Sequence, residues 1–214
     1  MSSTDPSTSS ETPNDGNTTQ DKSDDDLVKQ SIQRLRERDI KVVIFDMDLT
    51  IVNQHSRGSL RRGDPLEAFL SRICPDFVKL ATALHKEGFQ LAVATHSDEA
   101  EYGRRITPAT HILGDELVNT VLQRHLPPEV AESFYIVAFN PFARSNFFVT
   151  YFGDWAKRHH MKLIQNHYFV QPQEMVLFDD TRPIVTDCIR KCGVQAVQVS
   201  PLVGFRMTDI LDKL

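Results

Sequence analysis

The chain has 214 residues, 40% of them hydrophobic, which suffices for one sizeable α/β domain or two small ones. Its net charge of −5 is unevenly held. Residues 1–26 carry Asp5, Glu11, Asp15, Asp21, Asp24, Asp25 and Asp26 against Lys22 alone, a net −6 that leaves residues 27–214 at about +1. So near-neutral a remainder offers no basic face for nucleic acid, and the sequence holds neither an apolar run of membrane-spanning length nor the apolar core of a secretory signal.

Cys74, Cys188 and Cys192 form no disulfide framework, and an odd count suits a reducing compartment, so a cytoplasmic location is expected. Cys188 and Cys192 stand four apart on a predicted helix. They read as two small semi-buried residues, since no Cys or His lies at zinc spacing from them.

Residues 1–26 are rich in Ser, Thr, Asp, Asn and Pro and have almost nothing to bury, so they are expected to be a disordered tail ahead of one domain over 27–214. Asp26 is a plausible N-cap, with Val28, Ile32 and Leu35 recurring at helical spacing after it. Lys41–Asp46 reads as a buried strand, 53–64 as a polar loop and Pro65–Arg72 as a short helix. Pro75 suits the first turn of the next helix, which places Phe77, Leu80 and Leu84 on one face and ends before Gly88. Gln90–Thr95 is a second strand, Asp98–Arg105 and Asp115–His125 are helical, and Phe134–Phe139 is a third strand. A helical stretch within 146–168 precedes a fourth strand over Met175–Phe178. Ile184–Lys191 is a helix stopped by Gly193, Ala196–Val199 a fifth strand, and Thr208–Leu214 a closing helix.

Five short apolar strands alternating with helices predict a three-layer, Rossmann-like α/β domain around a mostly parallel five-stranded sheet. Ligands in such sheets bind at the carboxyl ends of the strands. Three strand ends there carry chemistry: DMDLT, with Asp46 and Asp48; THSD, with Thr95; and FDD, with Asp179 and Asp180. If the first and fourth strands are neighbours, these carboxylates converge, and several carboxylates in one place need a cation to stay ionised together. An oxygen-only donor set of this size suits Mg²⁺, with hydroxyls of Thr50 and Thr95 available to a phosphate.

In this order the motifs resemble those of the haloacid dehalogenase superfamily, whose members are mostly phosphohydrolases. DMDLT is similar to its DxDxT signature, LAVAT (Leu91–Thr95) to its second motif and MVLFDD to its fourth. The third motif is a helical lysine, for which Lys157 and Lys162 are the candidates. KRHHMKLIQNHYFVQPQEMVLFDD further resembles the K-x-x-H stretch of the small, capless magnesium-dependent acid phosphatase subgroup, which favours Lys157 and pairs it with His160. The subgroup's Ser-Arg pair at the second motif reads Thr95-His96 here, and a neutral His lacks the bidentate anion grip of Arg.

The resemblance covers about residues 41–200 and implies a Mg²⁺-dependent phosphatase without a large cap domain. Asp46 would be the nucleophile, Asp48 the general acid/base and Lys157 the neutraliser of phosphate charge. Thr50, Thr95, His96 and Lys157 would bind the substrate phosphate. Asp46, Asp48 through its backbone carbonyl, and the Asp179-Asp180 pair would hold the metal, with Asp179 expected as the direct ligand. The expected partner is a phosphorylated small molecule or protein, with neither nucleic acid nor membrane. The alternative is a module of the same fold that binds phosphate or a partner without turnover, against which the complete residue set argues; a dehalogenase would not need Asp48. Arg57, Arg61 and Arg62 are either a solvated basic loop or an anion-attracting rim. Phe142, Phe147, Phe148, Tyr151 and Trp155 are either helix core or a recognition wall.

Overall fold

A computed structural model describes residues 18–96, 106–138 and 157–214. Its strands are β1 (Val42–Phe45), β2 (Ser59–Arg61), β3 (Gln90–Thr95), β4 (His111–Leu113), β5 (Phe134–Ala138), β6 (Met175–Asp179) and β7 (Gln195–Gln198). Its helices are α1 (Thr18–Glu37), α2 (Glu67–Leu70), α3 (Pro75–Lys86), α4 (Gly114–His125), α5 (Pro128–Glu132), α6 (Arg158–Tyr168), α7 (Arg182–Asp187) and α8 (Met207–Lys213). Five strands form a parallel sheet in the order β5-β3-β1-β6-β7, so β1 lies between β3 and β6.

Alternation along the strands divides the core in two. Val43 and Phe45 of β1, with Leu91, Val93, Val176 and Phe178, face a layer containing α1, α3, α4, α5 and α8. Val42 and Ile44, with Ala92, Ala94, Met175 and Leu177, face a second layer containing α6 and Cys188. Each β1 residue is buried because both faces of the sheet are covered, which is why its sequence is an unbroken apolar run. In the first layer Phe45 meets Phe77, Phe178 and Phe205 at centroid distances of 5.0, 5.5 and 5.2 Å.

Several elements depart from the sequence expectation. The first helix starts at Thr18, inside the segment read as tail, because acidic and polar residues are compatible with a helix whose later turns, through Ile32 and Leu35, are anchored in the core. The polar stretch 53–64 is not all loop. Ser59–Arg61 pairs antiparallel with His111–Leu113, a strand that also has no sequence signal of its own. Neither segment alternates clearly; each is extended because the other completes its hydrogen bonds. The helix expected over Ile184–Lys191 starts two residues earlier and its last turn, Cys188–Cys192, is a π-helix before Gly193 at φ +72°. Cys188 is buried and Cys192 half-buried. The helix expected over Asp98–Arg105 and the five aromatic residues between Phe142 and Trp155 lie outside the described residues.

Candidate active site

Strand parity brings the acidic residues together. Asp46 follows β1 in register with Val42 and Ile44, and its backbone N–H continues the ladder to the Phe178 carbonyl at 2.9 Å. Asp179 ends β6 in register with Met175 and Leu177. Because the period is two, both side chains fall on the face that carries α6. Lys157, just before that helix, meets them there: its Nζ donates to Asp46 Oδ1 at 2.5 Å and to Asp179 Oδ2 at 2.6 Å. Lys157 and Asp179 are each 1% exposed and Asp46 7%. Lys162, the other candidate, is exposed further along α6.

One buried ammonium faces two buried carboxylates, so negative charge is in excess. Burial pushes the Asp46 carboxyl up to about 7; Lys157 pulls it down, and the Asp179 charge adds to the rise. Burial works against the Lys157 ammonium, yet Asp179 and Asp46 together outweigh it and raise its pKa, so the lysine stays charged. Asp179 spends both oxygens within the protein, since its Oδ1 also accepts the Thr181 N–H at 2.8 Å. Asp180 is half-buried and freer, its Oδ1 accepting only a long 3.3 Å bond from Thr181 Oγ1 among the described residues. Burial and the Asp179 charge raise its pKa too.

These residues line a cavity of about 120 Å³ together with Asp48, His55, Thr95, His96, Thr181 and Ile184. Burial, then the Lys157 charge, lower the His96 pKa to about 4, so its imidazole is neutral at physiological pH. Its Nε2 is buried without a hydrogen bond among the described residues. Its ring meets His160 edge-on at 5.0 Å, and His160 in turn donates from Nε2 to the Thr95 carbonyl at 3.1 Å, tying α6 to the end of β3.

Thr50 does not join the group expected to bind phosphate. It is fully buried, lies outside the cavity lining, and its carbonyl accepts the Phe205 N–H at 3.0 Å. The turn that places it there passes through Leu49 at φ +57° and is packed under Phe205, so Thr50 supports the loop from behind.

Sequence reasoning missed His55 and Ser56. Asp48 Oδ2 accepts the Ser56 N–H at 2.8 Å, Ser56 Oγ at 2.9 Å and His55 Nδ1 at 2.9 Å. The only signal for them was a polar loop soon after DMDLT, and such loops are common. Arg62, in the same stretch, is engaged with the Pro108 carbonyl and Glu116, on the outside of the β2-β4 pair.

No protein-family model matches the sequence, and no curated protein matches it. Solved structures do resemble the fold. A phosphatase domain complexed with Mg, from the N-terminal part of a Bacteroides fragilis protein, shares 17% identity over 85% of this chain at a TM-score of 0.48. This chain spans only 42% of that one. An uncharacterized protein from Listeria monocytogenes serotype 4b shares 15% identity over 78% of this chain and 83% of its own, at a TM-score of 0.50. A haloacid dehalogenase-like family hydrolase from Streptococcus pneumoniae shares 15% identity, 81% and 90% coverage and a TM-score of 0.46. At such identities likeness concerns fold alone. What decides the fold type is that DMDLT, LAVAT and MVLFDD close β1, β3 and β6, three adjacent parallel strands, with Lys157, just ahead of α6, bridging Asp46 and Asp179 at the ends of the first and last. The chain has a three-layer, Rossmann-like α/β fold that carries these motifs at adjacent strand ends.

A divalent cation is the cofactor that the motif resemblance implies, and the residues suit one. Carboxylates outnumber the one buried ammonium, and burial together with the Asp179 charge drives the Asp46 carboxyl up despite Lys157. The donors are oxygens only, the preference of a hard cation. Among the described residues no three Asp, Glu, His or Cys side chains enclose a metal by themselves.

Proposed function

We propose that the protein is a Mg²⁺-dependent phosphatase that hydrolyses phosphate monoesters through an aspartyl-phosphate on Asp46. One observation carries the reading: Lys157 bridges Asp46 and Asp179 at the floor of a small polar cavity that Asp48, Thr95, His96 and Asp180 also line. Asp46, Asp180 and the backbone carbonyl of Asp48 would hold the cation, in preference to Asp179, whose two oxygens are already engaged. Mg²⁺, when bound, supplies positive charge to the phosphoryl oxygens and compensates the acidic cluster.

The chain's own groups then divide the work. Lys157 holds Asp46 by Oδ1, which leaves Oδ2 to attack phosphorus. Asp48 gives its proton to the leaving oxygen, and later takes one from the water that hydrolyses the aspartyl-phosphate. Lys157, Thr95 and neutral His96 offer donors to the phosphoryl oxygens, and phosphoryl transfer asks mostly for such positioning and charge neutralisation. A cavity of about 120 Å³ accommodates the phosphoryl group, so the rest of the substrate lies outside it among the described residues. A small phosphometabolite and a phosphorylated protein segment both satisfy that geometry.

The test is hydrolysis of p-nitrophenyl phosphate by the purified full chain. Activity should appear with Mg²⁺, vanish in EDTA and vanish in Asp46→Asn. An Asp46→Asn variant that still turns over would remove Asp46 as nucleophile, and a wild-type chain inert towards a panel of phosphoesters would leave a binding module in its place.

A further inference from the structure

We propose that Ser56 and His55 are positioning residues for Asp48, and that the β2-β4 ribbon exists to hold them. The assignment rests on the phosphatase reading above and deepens it.

Three donors converge on one oxygen of Asp48 and none on the other. The Ser56 N–H, the Ser56 hydroxyl and His55 Nδ1 all reach Oδ2, at 2.8, 2.9 and 2.9 Å, whereas Oδ1 accepts no hydrogen bond among the described residues. A carboxylate only accepts, so His55 carries its hydrogen on Nδ1. The direction of the Ser56 hydroxyl is set as well. Its oxygen accepts the Gly58 N–H at 2.9 Å, which turns its own hydrogen to Asp48. An oxygen that accepts three hydrogen bonds has no lone pair left for a proton. That leaves Oδ1, itself a buried atom, as the oxygen able to carry the proton.

The clamp is anchored from outside the site. Arg57 and Gly58 have φ of +57° and +78°, a sharp reversal that returns the chain from Ser56 into β2. β2 pairs Ser59 with Leu113, Leu60 with Ile112 and Arg61 with His111. β4 leads directly into α4, whose Leu117, Val118, Val121 and Leu122 are core. Ser56 is itself 6% exposed, whereas the His55 side chain is 64% exposed. No packing role accounts for an exposed histidine whose ring nitrogen is directed at a catalytic carboxylate.

In the reaction, Asp46 Oδ2 bonds to phosphorus as the ester P–O bond breaks, and the departing oxygen takes the proton from Asp48 Oδ1. In the second step Asp48 Oδ1 takes a proton from water, the hydroxide bonds to phosphorus, and the Asp46–phosphorus bond breaks to restore the carboxylate and release inorganic phosphate. Both transfers need Oδ1 presented at a fixed angle, which is what the grip on Oδ2 provides.

The full chain with Mg²⁺ is assayed on p-nitrophenyl phosphate and on phenyl phosphate, whose leaving oxygen needs the proton more. Ser56→Ala and His55→Ala should each lower kcat about tenfold or more with KM nearly unchanged, and kcat/KM should fall further on phenyl phosphate. Ser56→Thr and His55→Asn, which keep a donor at the same place, should recover most of the loss. His55→Ala removes an exposed side chain, so it keeps the test decisive if Ser56→Ala fails to fold. Unchanged kcat in both alanine variants, a change confined to KM, or no recovery in the conservative variants overturns the assignment while the phosphatase reading stands. A wild-type chain that hydrolyses neither ester overturns both.

Discussion

Lys157 is the residue on which the candidate site turns. Removing one member of a buried ion group leaves the others uncompensated, at a cost of about 3–5 kcal/mol for a buried pair. Lys157→Met should therefore lose both stability, read by urea unfolding, and hydrolysis. A variant with native stability would mean that the two carboxylates find relief without the lysine. Asp46 tests the opposite sign. Its folded pKa of about 7 lies above that of an unfolded aspartate, so the folded state binds the extra proton between roughly pH 4 and 7. Its contribution thus favours folding at the acid end of that window and is lost as pH rises through it. In EDTA, Asp46→Asn should be more stable than wild type above pH 7, and the gap should close towards pH 4. A destabilised variant at pH 8 would show that its pairing with Lys157 outweighs the burial of its charge. Motif order alone singled out Asp46, Asp48 and the Asp179-Asp180 pair as candidates, whereas it left Lys157 and Lys162 both open and only the K-x-x-H resemblance favoured Lys157. The division of labour between Asp179 and Asp180 was not legible, because adjacent residues on a strand end point to opposite sides and the sequence does not say which side holds the lysine.

At the scale of elements, the loop after β1 is held by long-range contacts more than by its own turn. Cys74 donates its N–H to the Ile51 carbonyl at 2.9 Å, and Phe205 to that of Thr50 at 3.0 Å. Gly204, at φ +72°, passes so close that an added Cβ would sit 2.3 Å from Cys74 Sγ and 3.0 Å from the Thr50 carbonyl oxygen. Neither the backbone angle nor the space admits a side chain. Gly204→Ala should cost about 1–3 kcal/mol by thermal or urea unfolding, in the range of overpacked core sites. A neutral outcome would mean that the 200–204 turn can move off the loop. Nothing in SPLVGF announces this constraint, since Gly after a Pro-initiated turn reads as a turn residue and the atoms it must avoid are more than a hundred positions away in the chain. The same reason hid β2 and β4. A three-residue strand is too short to show a period, and each acquires its conformation from the other.

For the whole molecule, a cation held by the acidic cluster would link its binding to folding. A ligand that binds only the folded state stabilises it by RT ln(1 + [L]/Kd), about 2.7 kcal/mol at a hundredfold excess over Kd. Millimolar Mg²⁺ should raise the melting temperature of the full chain relative to EDTA. The rise should disappear in Asp180→Asn and survive in Asp179→Asn; the reverse pattern would return the direct-ligand role to Asp179. Among the described residues no helix is long and apolar enough to cross a membrane. The parallel α/β architecture, the strands that end in chemistry, and the candidate nucleophile and acid/base were all present in the linear order of residues, because apolar runs, helical spacing and strand-terminal carboxylates are local patterns that a short window contains. The meeting of Lys157 with Asp46 and Asp179, the withdrawal of Thr50 behind the loop, and the grip of Ser56 and His55 on Asp48 came only with the folded chain. Each depends on which face of the sheet a side chain joins and which distant segment lies against it, and neither quantity is a property of any stretch of sequence short enough to read on its own.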